Sequence, residues 1–431
     1  MHFKSLFLVM LCCVFIFTAI PKVSADQQSD VILRALINAG VITQEDIDKA
    51  AQQIGAEKGA RQASVPQGIE DRVAALENKQ SHVPKWVEKI KLKGDFRLRY
   101  ESKKRQGGKS AERGRVRYRL GIESDIVDQV KVGAGLASGS DSSTSARSTN
   151  QDLQDVFSTK PFSLDYAYAE YTPADWVSII GGKFKRKKYL WEPGDLLWDG
   201  DINPEGGSIQ LRRDLTDWVT GTMNAGLWVV DESSGDSSDP YMFYVQPIIA
   251  LKNKDLKADA KIAFTYYDFD NVRGNSLDGA LGDNTTDTGT SLLTHKFNPL
   301  SGSAEIGFAE PFDLEVIPRI ALFGEYVHNP DPSDENNGWL LGFKLGDKKV
   351  NNRDKLQFKY MYAQLQRDAF LDVLPDADRY SGGTNVRSHE GIIQYGLNKN
   401  VMVELDYYHS DRINGPSLPE NLFQASANLK F

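Results

Sequence analysis

Basic residues recur at every second position in two neighbouring stretches, Lys91, Lys93, Arg97 and Arg99 in the first and Arg113, Arg115, Arg117 and Arg119 in the second. Lys183 and Lys185 repeat the spacing further on. At period two such side chains share one face of a strand. A row of cations facing lipid would cost roughly 2–4 kcal/mol each near a bilayer midplane, so this row has to face water. Its chemistry is electrostatic: a positive wall that attracts anions or orients solute dipoles, or else a wall whose charge is balanced by acids such as Asp95 and Glu101. The residues alone leave both open.

A second group has the opposite sign. The stretch LWEPGDLLWDGDINPEGG from Leu190 to Gly207 sets Trp191, Leu196, Leu197 and Trp198 among Glu192, Asp195, Asp199, Asp201 and Glu205. A connecting segment this apolar does not belong in free solvent. It is expected to fold into the interior as a constriction, with its acids facing the basic row, or to pack over a neighbouring subunit.

Other chemistry finds little support. Past residue 25 there are five histidines, at 82, 295, 328, 389 and 409, and none stands at metal-ligand spacing from another. The two cysteines, Cys12 and Cys13, lie in a leader. Lys4, the apolar run from Leu6 to Ile20 and Val23-Ser24-Ala25 read as a signal peptide cleaved after Ala25. Its removal would take away disulfides, thiolate catalysis and iron–sulfur clusters together. Losing Lys4 and Lys22 takes the net charge from −8 to −10, which argues against general nucleic-acid binding. No metal, cofactor or catalytic residue is expected.

The elements that must position the two charged groups are strands. Ile90, Leu92, Gly94, Phe96, Leu98 and Tyr100 alternate with Lys91, Lys93, Asp95, Arg97, Arg99 and Glu101, the apolar-out, polar-in dyad of a transmembrane strand. The same pattern recurs to the end of the chain and predicts about sixteen strands, near 129–138, 162–171, 177–185 and onward to 422–431. Connections alternate between short turns and long polar loops, at 138–161, 186–207, 269–301 and 367–389. The expected fold is therefore an all-β, antiparallel transmembrane barrel over residues 88–431, with both chain ends on the periplasmic side. Phe423, Ala425, Ala427, Leu429 and Phe431 alternate up to a terminal aromatic, which is similar to the signal read by the barrel-assembly machinery. Residues 26–87 predict a periplasmic helical hairpin, with Leu33, Leu36 and Ile37 on one face. Ile69, Val73, Leu76 and Val83 then suggest a short coiled coil or a solvated linker helix.

The segment LLWDGDINPEG, the preceding GGKFKRKKYLW, the hairpin with its GVIT turn and the terminal Phe resemble the "putative porin" family of Gram-negative bacteria. The resemblance covers the mature chain. It implies an outer-membrane protein, related in architecture to trimeric general porins, that passes small hydrophilic solutes without chemistry as a homotrimer in the lipid bilayer. The basic row suggests mild anion preference. The alternative function is structural, with the N-terminal helices tying the membrane to the cell wall.

Overall fold

The computed structural model describes residues 49, 85–108, 110–139, 146–154, 156–232, 239–311 and 317–431. The signal peptide, the hairpin and the coiled-coil heptads lie outside these residues. The chain divides into two units, Met1–Glu88 and Lys89–Phe431; of the first, Lys49 and one helical turn, Lys85–Glu88, are described.

The second unit is a closed antiparallel barrel. Its strands are β1 (Lys91–Arg105), β2 (Ala111–Val127), β3 (Val130–Ser138), β5 (Phe162–Ala174), β6 (Val177–Lys183), β7 (Glu205–Thr216), β8 (Val219–Val229), β9 (Tyr241–Asn253) and β10 (Ala258–Asp270). They continue as β11 (Leu300–Ala309), β12 (Arg319–His328), β13 (Asn337–Gly346), β14 (Leu356–Leu365), β15 (Val386–Asn398), β16 (Val401–Arg412) and β17 (Glu420–Lys430). Between β3 and β5, β4 (Gln151–Asp152) is a two-residue segment that pairs with Arg115 and Val116 of β2 inside a loop. Each of the other sixteen pairs with its neighbours in chain order, and β17 returns to β1, so the wall has no free edge.

The period-two pattern explains this inversion of the usual core. Outward positions carry Ile122, Leu136, Phe264, Leu322, Leu341 and Leu405, all exposed, while inward positions carry Arg99, Glu101, Asn224, Gln246, Glu325 and Glu390, all buried. Apolar groups outside and polar groups within satisfy a wall that meets lipid on one side. Register is fixed because a one-residue slip would turn every charge outward. The seam is held at its end by a two-way backbone exchange between Gly94 and Phe431 (2.9 and 3.0 Å). Any Cβ at position 94 would run into the Phe431 ring, which is why a glycine stands there.

Connections at the end bearing residue 431 are short, as at 128–129, 175–176, 217–218 and 399–400. At the opposite end lie L2 (139–161), L3 (184–204), L5 (271–299) and L7 (366–385). Three of these turn inward. Leu190, Leu196 and Trp198 of L3 meet Val272 and Leu293 of L5 and Phe370 of L7 in one apolar cluster inside the barrel, against Trp228, Tyr244 and Tyr267 of the wall. The core of this protein is therefore made by loops, and it holds them across the lumen.

Candidate functional site

The arginines of β1 and β2 face the interior, but each is answered by an acid. Arg113 and Arg115 share Glu101 (2.5 and 3.2 Å) and Asp152 (2.9 and 2.8 Å). Arg117 and Arg119 share Asp95 at 2.8 and 2.7 Å, and Asp201 of L3 caps both at 3.7 and 3.3 Å. Arg99 binds Asp378 of L7 at 3.2 Å. Lys93, at the end near the termini, pairs with Glu123, while Lys91 beside it is exposed. Arg97 is the exception: it donates to Asn428 Oδ1 (2.8 Å) and enters no ion pair among the described residues. Of the two readings of the basic row, the geometry is that of a balanced wall.

L3 is what brings Asp201 there. Its first turn is a short 3₁₀ segment, Arg186–Lys188, whose Arg186 bonds Glu192 at 2.7 Å and lies 5.2 Å from the Trp198 ring. Trp191 exchanges backbone bonds with Gln246 (2.8 and 2.9 Å) and has Lys261 over its ring. Trp198, 3% exposed, packs edge-on against Trp228 and Phe370. The loop is thus anchored by rings, a buried ion pair and the wall, which leaves its acids fixed in place.

Those acids have different environments. Burial raises Asp201, but the charges of Arg117 and Arg119 outweigh it and hold the carboxyl below its usual range. Asp195 is likewise lowered, burial being outweighed by Arg379, which bonds it at 2.5 Å, and by Lys359. Asp199 moves the other way, well up, through burial and the charges of Asp376 and Asp201; Ala377 N and Asp201 N each donate to it at 2.8 Å. Burial and the charges of Asp195 and Asp378 push Asp376 of L7 up to about 7. Asp195 and Asp376 sit beside Glu390 of β15.

Lys183 and Glu205 meet at the ends of β6 and β7, where both line a cavity together with Asp201. Lys183 does not share an inward register with Lys185. Ser178 and Ile180 point inward on β6, so Lys183 alternates with them and meets the exposed Glu205 in a pair at 2.7 Å. Lys185 reaches the interior because the strand has ended, and its ammonium lies 4.6 Å over the Tyr166 ring. Glu205 begins β7 on the wall. Between L2, L3 and the wall lies a cavity of about 640 Å³ lined by Arg147, Thr149, Asp165, Asp201, Asn203 and Trp228. The inward turn of L5 and L7 was not foreseen. Phe370 and Leu371 are the clearest signal of it, an apolar pair inside a polar stretch.

The "Putative porin" family matches residues 105–301 and 303–431, most of the chain, and the protein belongs to it. It is a porin of the bacterial outer membrane. Among solved structures, OprB of Pseudomonas putida at high pH shares 11% identity over 80% of this chain and 96% of that one, with a TM-score of 0.52. OmpF of Salmonella typhi, in complex with daunomycin, shares 12% identity over 79% and 97%, with a TM-score of 0.47. OmpT of Vibrio cholerae in its trimer form shares 8% over 79% and 99%, with a TM-score of 0.45. At these identities the likeness is one of fold. No curated protein matches the sequence.

Proposed function

We propose that the barrel passes small hydrophilic solutes by passive diffusion, with no chemistry on the solute, and that its anion preference is weak. The observation that carries this reading is the interior itself: a closed wall and three infolded loops whose ionised groups face the lumen. Nearly all of the arginine row is neutralised by Asp95, Glu101, Asp152, Asp201 and Asp378, so little net field is left from it. Arg97, Lys185 and Lys187 enter no ion pair among the described residues, and these three tilt the balance toward anions. Fixed opposite charges on a narrow lining select solutes by size and dipole more than by net charge. The test is single-channel recording in a planar bilayer under a potassium chloride gradient. Discrete conductance steps with a small anion-directed reversal potential are expected. Absence of conductance from correctly folded barrels would overturn the reading.

The chain works as a homotrimer in this proposal, and the barrel-assembly machinery reads its end at Phe431. Chemical cross-linking of the purified protein checks the first, and loss of membrane insertion on deleting Phe431 checks the second. Contact of the N-terminal helices with the cell wall is the alternative role, tested by pull-down on purified peptidoglycan.

A further inference from the structure

Three carboxylates converge on one side of the lumen, and a fourth lies beside them. Asp195 of L3, Asp376 of L7 and Glu390 of β15 each bring an oxygen to within 4.8 Å of the others. Two oxygens bound to one calcium ion at about 2.4 Å can stand no farther apart than that. An independent observation comes from Asp406 of β16. It is 8% exposed, its Oδ1 is fully enclosed, and the side chain has neither a hydrogen bond nor an ion pair among the described residues. Such an isolated buried carboxylate is strongly disfavoured unless something compensates it. It lies on the lumen face that borders the other three: Tyr408, two residues on and so on the same face, donates its hydroxyl to Asp376 Oδ2 (3.1 Å), and Glu390 is the register partner of Tyr408.

Cations already present do not balance this group. Arg379 bonds Asp195 at 2.5 Å and approaches Glu390 at 3.5 Å, and Lys359 acts on Asp195 from β14. Arg99 bonds Asp378 at 3.2 Å and also acts on Asp406, while Lys187 and Glu404 add one charge of each sign at the margin. With Asp378 and Arg99 counted in, five acids stand against three bases, which leaves the pocket short of two positive charges. We propose that it binds one divalent cation of the calcium or magnesium class, held by Asp195, Asp376 and Glu390 with Asp406 alongside. The donors are all oxygen, which suits a hard cation and not one that seeks sulfur or imidazole. A cation here makes the lumen a binding station for divalent ions as well as a passage.

The test uses the full-length protein in detergent, stripped with a chelator and titrated with calcium chloride by calorimetry, and separately with terbium(III), whose emission is read on exciting nearby tyrosine. One saturable calcium per chain is expected, with calcium displacing terbium. Asp376→Asn, Glu390→Gln and Asp406→Asn should each weaken binding roughly tenfold or more, while Asp331→Asn, on the outer rim, should not. Asp406→Asn removes no bond present in the structure, so it reports on the site even if the other two variants misfold. Absence of saturable binding, or binding indifferent to Asp406→Asn in folded protein, would overturn the proposal. Barrels that conduct without binding calcium would sink the cation site and leave the pore standing.

Discussion

The arginine wall and the acid pocket sit in one lumen and solve opposite problems differently. On β1 and β2 cations outnumber what the strands can balance alone, and loops supply the rest: Asp152 from L2, Asp201 from L3 and Asp378 from L7. Around Glu390 the same loops bring acids to acids, and a single buried arginine, Arg379, is set among them. Buried charge is costly unless paired, so the wall is a finished structure and the pocket an unfinished one. Where a lumen is finished it tunes; where it is unfinished it binds.

Trp198→Ala should break the comparison outright, because L3 carries Asp201 to the wall and Asp195 to the pocket. Removing so buried a ring costs roughly 3–5 kcal/mol of packing. Larger and noisier conductance steps should be seen in bilayers while the barrel still migrates anomalously when unheated. Asp95→Asn breaks the wall alone. With the carboxylate shared by Arg117 and Arg119 gone, the reversal potential should move clearly toward anions, and no movement would mean that permeating ions never approach this wall. Glu390→Gln acts on the pocket, and should shift the potential toward anions in chelator but little in millimolar calcium. The smallest effect belongs to Arg97→Ser, which should move the potential slightly toward cations. A shift larger than that of Asp95→Asn would show that Arg97 alone governs the constriction.

The wall was legible in the sequence because its information is local. Period two from Ile90 to Glu101 says which side chains face water, and an inward arginine needs no partner to be recognised as inward. L3 was legible for a similar reason: two tryptophans and two leucines within eight residues cannot all stay wet. The pocket was not legible, since Asp195, Asp376 and Glu390 come from three separate segments and meet only once L7 has folded in. L7 itself reads as polar, with Phe370 and Leu371 diluted by aspartates.

The seam between β1 and β17 has a consequence for the life of the chain before it works. Arg97 and Asn428 touch across 331 residues of sequence, and the whole ladder from Asp95 to Arg105 waits for the last residues to arrive. Loop-closure entropy grows only slowly with length, so the difficulty is one of timing. Until Phe431 meets Gly94 the sheet has two raw edges, each a template for pairing with another copy. A newly exported chain is therefore at its most adhesive just before completion, and its survival depends on how briefly those edges stay apart.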